Sequence, residues 1–312
     1  MKKIIIPLLL LCFTSKAQYV LSERLQSEIN KSKKINHSFP IRIEMIDKID
    51  ALELHQNFKA NEIPIKDRAR ITVQKLQSKA KETQKSLIEF INLHNPKSNV
   101  RGYWIINQIY LTANRELIYE IGKRADVGFV DLNIDKISPL EYIENENLHR
   151  SNGQIENGLE AINVPALWEL GYSGKGLLVY NYDTGVCPEH PAIKDRFLAN
   201  RFPMEQSWYG NFRSFPNEIN SNHGTHTLGT IIGKGLSSGD TIGIAYGAYW
   251  MACDLVMSTV EELPPLEEIV AGYQWALDSD NNPETTDDIP DVINNSWRWN
   301  DNPDTVHCND YI

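Results

Sequence analysis

Apolar and polar positions alternate from Phe39: Phe39, Ile41, Ile43 and Met45 are separated by Pro40, Arg42 and Glu44. That period of two predicts a strand with one buried face. Further on, Ile71, Leu76, Ala80, Leu87, Ile88 and Ile91 are spaced for one or two amphipathic helices over 67–93, and Pro96 stops them. Strands are predicted over 102–111 and 127–132, with a short helix over 115–122 between them. Interleaved strands and helices of this kind predict a small α+β domain over 39–135. Residues 18–38 are polar, with Lys31, Lys33 and Lys34, and read as a flexible leader. Residues 136–156 carry Glu141, Glu144 and Glu146 without an apolar period and read as a linker.

The pattern differs from residue 157 on. Asn163 to Leu170 predicts a short helix with Pro165 near its start, and Gly171 to Gly176 a turn. Leu177 to Tyr182 is a mostly apolar run, as in a strand buried on both faces; 249–257 and 291–297 read the same way. Helices are predicted between them, over 224–233 and 264–277. Strand-helix alternation predicts an α/β domain with a parallel, doubly wound sheet over 157–312. In such sheets ligands sit off the carboxyl ends of the strands, and Asp183 lies at one such end.

Charge divides the chain at the same place. The net charge is -10, but residues 19–140 sum to +5 and residues 141–312 to -18. Either the two domains attract each other or each has a solvated surface of its own sign. The acidic second half excludes a nucleic-acid partner, whose phosphates need a basic footprint. Lys2 and Lys3, the apolar run Ile4 to Phe13, and the small residues Ser15 and Ala17 predict a signal peptide cleaved after Ala17. The run is too short to span a bilayer. The expected destination is the extracellular space or the periplasm, with no membrane association after cleavage. Cys12 leaves with the signal, and Cys187, Cys253 and Cys308 remain, an odd number without metal-ligand spacing. One disulfide among the three stays open.

Two stretches bear chemistry. Asp183-Thr184-Gly185 ends an apolar strand, and His223-Gly224-Thr225-His226 opens a helix. Aspartic proteases use Asp-Thr-Gly in two copies or in a dimer; a single copy followed by a histidine motif points elsewhere. A structural Asp capping a turn is a further use of that position. His223 and His226 have the spacing of a metal pair, but no third ligand is readable and no acid lies inside the motif, so no metal is assigned. His226 reads as a packed neighbour. A carboxylate that fixes an imidazole tautomer, leaving the other ring nitrogen to take a proton, suits Asp183 and His223 better.

Tyr180 to Val186, followed by Asn222 to Thr230, resembles the subtilisin family of serine proteases. Gly243 to Ala248 is similar to that family's turn before its next strand, and Pro290 to Trp297 to its substrate-binding edge strand. Asn294 to Trp297, with Trp250 to Cys253, is especially similar to bacillopeptidase F-like members. Tyr103 to Asn107 and Arg124 to Asp131 resemble the family's inhibitory propeptide, a ferredoxin-like sandwich that docks on its own catalytic domain. The resemblance implies that Asp183 orients, that His223 is the general base, and that Asn294, Asn295, Ser296 and Trp297 pair with the backbone of protein or peptide substrates. Arg298 stands where the family commonly has glycine in its specificity pocket.

The family's serine follows in a Gly-Thr-Ser motif, and no Gly-Thr-Ser occurs in these residues. The chain is therefore expected to be the front part of a serine endopeptidase, half of its sheet, cut short before the nucleophile and inactive as it stands. The alternative is a complete pseudoprotease or propeptide-like binding protein. No cofactor is expected. Asp278, Asp280 and Asp287-Asp288 only begin to look like a calcium loop, because Pro283 replaces its glycine.

Overall fold

Residues 20–34, 37–133, 137–139, 155–210, 213–218, 221–235, 240–256 and 266–299 are described in the computed structural model. The signal-peptide region 1–17, most of the expected linker and Cys308 lie outside them.

Residues 20–34 are not a loose leader. Val20 and Ser22 exchange backbone hydrogen bonds with Val130. The Ser22 hydroxyl then caps helix α1 (Glu23–Lys31) by accepting from the Leu25 amide at 3.1 Å. Leu25 and Ile29, four apart on one face, are fully buried. Two apolar residues per two turns sufficed to dock a segment whose overall polarity suggests a leader.

The first domain continues with β1 (Ser38–Met45), α2 (Ala51–Ala60), α3 (Ile65–His94), β2 (Arg101–Tyr103), β3 (Gln108–Asn114), α4 (Arg115–Gly122) and β4 (Val127–Leu132). The sheet order is β2-β3-β1-β4, antiparallel at each pairing. Val73, Ala80, Leu87 and Ile91 of α3 and Leu117, Ile118 and Ile121 of α4 are buried. Helix α2 has no apolar stripe to announce it: Phe58 is its buried residue, and Asp50 caps it. The single strand expected over 102–111 is a hairpin. Asn107 turns it with φ at 50°, and its buried side chain bonds Asp47 O and Gln84 Nε2.

Asp131 fixes α1 to this sheet. Its carboxylate accepts from Arg24 Nε at 2.7 Å, from Arg42 Nη2 at 3.0 Å and from the Ser22 hydroxyl. Burial pushes its carboxyl up, but the Arg24 and Ser22 hydrogen bonds and the charges of Arg24 and Arg42 outweigh this and hold it below the ordinary value. A depressed carboxyl stabilises the fold above the unfolded value, about 4, and that stability is lost as pH falls through the folded value. Asp131→Asn should therefore lower Tm at neutral pH, by the equivalent of about 1–3 kcal/mol, and flatten its acid limb below about pH 4. Thermal melts across pH read both effects.

After β5 (Ile137–Pro139) the second domain runs α5 (Asn157–Ala161), α6 (Val164–Glu169), β6 (Leu178–Tyr182), β7 (Trp208–Tyr209), α7 (His223–Ile232), β8 (Tyr249–Cys253), α8 (Leu266–Ala276), β9 (Val292–Asn295) and β10 (Trp297–Trp299). β7, β8, β6 and β9 form a parallel sheet in that order. All five residues of β6 are buried. Tyr180 and Tyr182 pack with Ile269 and Val270 of α8, while Val179 packs with Leu228 and Ile232 of α7, so each face has its helix. Trp250 on β8 stacks on Phe197 at 4.2 Å and donates to Ile193 O.

The two domains meet with opposite charges. Arg101 bonds Glu268 at 2.5 Å and approaches Glu267 at 3.8 Å. Gln274 Oε1 on α8 accepts from the Trp104 amide at 2.7 Å, and Asp278 accepts from Gln77 at 2.6 Å. Tyr103 and Tyr110 join the apolar cluster around α8. The expected linker begins as a strand: β5 pairs antiparallel with β10, placing Pro139 opposite Trp297, Ser138 opposite Arg298 and Ile137 opposite Trp299. Parts of both expected boundaries thus give way, because residues on either side find partners in a sheet or core.

Candidate active site

Asp183 follows the last residue of β6, and His223 is the first residue of α7. Forty positions apart in sequence, they meet with His223 Nδ1 at 2.6 Å from Asp183 Oδ1. The Asp183 side chain is 1% exposed and that of His223 11%. The helix can approach because two glycines line the contact. Gly185 turns away from β6 at φ 102°, with Asn217 O where a Cβ would sit. Gly224 lies against the Gly185 carbonyl. Asn181 Nδ2 donates to Gly224 O at 2.9 Å, and the Gly224 amide donates to Thr184 Oγ1 at 3.1 Å.

The carboxylate is fully engaged. Oδ1 accepts from the Thr184 amide at 2.7 Å as well as from His223, and Oδ2 accepts from Thr227 Oγ1 at 2.9 Å. Asp183 also sits by the N-terminal end of α7, whose partial positive charge favours an anion. A buried carboxylate held this way keeps a proton on His223 Nδ1 and leaves Nε2 as the nitrogen that can take one from a nucleophile.

The other predicted residues divide. Asn294 and Asn295 belong to β9, an edge strand of the parallel sheet. There Asn294 is opposite Asn181 and Asn295 opposite Tyr182. The chain breaks at Ser296, whose hydroxyl donates to Asn294 Oδ1 at 3.2 Å. Trp297 is the one of the four that stands in β10, and Arg298 and Trp299 complete that strand. His226 is exposed on α7 rather than packed, being three positions past His223 but rotated off the buried face. Asn181 and Thr227 were missed. A polar residue inside an apolar strand run was the available signal for Asn181; Thr227, four positions after His223, had none.

Among the described residues, Cys187 and Cys253 are not joined, and burial pushes the Cys253 thiol up to about 12. Asp278, Asp280 and Asp288 place carboxylate oxygens within 4.8 Å of one another. Most of that set already has protein donors: Asp288 accepts from Ser279 and Asp280, and Asp280 from Asn282 and Thr285.

Fold and site together define a class: a parallel α/β domain that holds a carboxylate–imidazole pair between a strand end and a helix start. Residues 174–308 match the profile of the subtilase family. It is 28% identical over 243 residues to bacillopeptidase F of Bacillus subtilis (strain 168), covering 72% of this chain and 17% of that protein. It is 29% identical over 145 residues to subtilisin E of the same organism, covering 46% of this chain and 35% of that one. The chain thus spans about a third or less of these relatives. Fervidolysin from Fervidobacterium pennivorans, a keratinolytic enzyme related to subtilisin, aligns with TM-score 0.45 at 18% identity, over 84% of this chain and 36% of that one.

Proposed function

We propose that this chain supplies the Asp–His half of a subtilisin-like serine endopeptidase that cleaves exported proteins or peptides. Asp183 is the orienting carboxylate and His223 the general base. The observation that carries this reading is the 2.6 Å contact between buried Asp183 and His223 inside the stretch that matches the subtilase profile. No Gly-Thr-Ser sequence stands in residues 1–312, and the acyl-enzyme step of this reading needs a serine nucleophile of that kind. Substrate backbone pairs with Trp297 to Trp299, in support of which β10 already takes β5 as an antiparallel partner.

The first domain acts as the inhibitory propeptide. Three features support this: its β1-α3-β2-β3-α4-β4 order with sheet β2-β3-β1-β4 is that of a ferredoxin-like sandwich, its Arg101 pairs with Glu268 of the acidic second domain, and β5 lies along β10. Export rests on the lysines and apolar run before Ala17. Among the described residues no helix is long and apolar enough to cross a membrane.

A serine-reactive peptide phosphonate tests the activity. In the medium or periplasm of producing cells it should label a protein whose tryptic peptides include those of residues 174–308, while purified 1–312 stays unlabelled. No labelled species with those peptides, or clear labelling of purified 1–312, contradicts the reading.

A further inference from the structure

Thr227 and Asn181 hold the orienting carboxylate in a way the pair itself does not explain. Thr227 has one hydroxyl proton and three acceptors in reach: Asp183 Oδ2 at 2.9 Å, Gly224 O at 3.1 Å and Asn181 Oδ1 at 3.4 Å. The two neutral acceptors already have donors. Asn181 Nδ2 donates to Gly224 O at 2.9 Å, and Asn294 Nδ2 donates to Asn181 Oδ1 at 2.9 Å. These two contacts also fix which way the Asn181 amide faces. The carboxylate is the charged acceptor and the nearest, so it receives the Thr227 proton.

The consequence for Asp183 is specific. His223 and the Thr184 amide both use Oδ1. Among the described residues Thr227 is the donor to Oδ2. Without it a fully buried carboxylate oxygen has no partner, and the two Oδ1 contacts alone set the group's rotation. Asn181 is itself fully buried in the middle of β6, where an apolar residue would pack at no polar cost. Its amide earns that position by occupying the competing acceptors.

We propose that Thr227 and Asn181 are positioning residues that lock the Asp183 carboxylate with Oδ1 aimed at His223, Asn294 anchoring Asn181 from the neighbouring strand. This rests on reading Asp183 and His223 as a working pair.

The test uses the 312-residue chain and the nitrogen-bound imidazole protons seen by nitrogen-edited NMR. In the unsubstituted chain His223 Nδ1–H should give a low-field, slowly exchanging signal. Thr227→Val, nearly isosteric, should move that signal upfield and speed its exchange roughly tenfold, the factor set by one charge-assisted hydrogen bond. Thr227→Ser should restore it, and Asn294→Ala should give a smaller change of the same sign. The ring signals of His190 and His226 should stay put, showing that the fold is kept. A His223 signal in Thr227→Val that superimposes on the unsubstituted one overturns the lock. Absence of the low-field signal from the unsubstituted chain overturns instead the pairing of Asp183 with His223.

Discussion

Gly224→Ala parts His223 from Asp183. A Cβ on residue 224 would lie 2.1 Å from the Gly185 carbonyl oxygen and 3.2 Å from Asp183 Cβ. Neither is the tip of a flexible side chain, so the first turn of α7 must move. That turn carries His223, and the same movement breaks the Asn181 contact to Gly224 O. Overpacking and a lost charge-assisted hydrogen bond together are worth about 3 kcal/mol. Denaturant unfolding should show this loss, together with loss of the His223 low-field proton. Gly229→Ala is the control: it sits on the same helix with nothing within 4 Å of the added Cβ. It should be neutral or stabilise by about 0.5–1 kcal/mol through helix propensity.

Arg101→Glu opens the contact between the two domains. Arg101 faces Glu267 and Glu268 in the first turn of α8, so reversal sets three carboxylates together at the contact with the acidic half of the chain. Like charges at an interface cost several kcal/mol, whereas Arg101→Ala removes a half-exposed pair at lower cost. The readout is hydrogen exchange of the Trp104 amide, which donates to Gln274 across the interface. Exchange there should rise steeply in Arg101→Glu and modestly in Arg101→Ala, while Ile109 and Ile43 inside the first sheet keep their protection. Added salt should narrow the difference, because the partners are partly exposed.

The features legible in the sequence were those with a local period or a fixed spacing. The alternation at Phe39 to Met45 and the apolar run before Asp183 are strands because no other element buries those patterns. Asp183 and His223 were legible as a pair because one ends a strand and the other starts a helix. What escaped depended on partners distant in the chain. Leu25 and Ile29 look like incidental apolar residues until the sheet gives them a place to be buried. β9 ends at Asn295, opposite Tyr182, the last residue of β6, and that register is set by a strand more than a hundred residues away. Thr227 looked like a helix surface position, and only the position of Asp183 Oδ2 gives it a role. His226 was misplaced because three-residue spacing suggests a shared face, whereas the buried stripe of α7 runs through Gly224, Leu228 and Ile232.

The most direct test of the Asp183–His223 pair is the tautomer of His223, read from imidazole nitrogen shifts in the 312-residue chain at a pH where the ring is neutral. A carboxylate at 2.6 Å from Nδ1 requires the proton on Nδ1, with Nε2 as the bare acceptor. In Asp183→Asn, where an amide N–H can donate to the ring, the proton should move to Nε2. A neutral ring that already carries its proton on Nε2 in the unsubstituted chain would contradict the pairing.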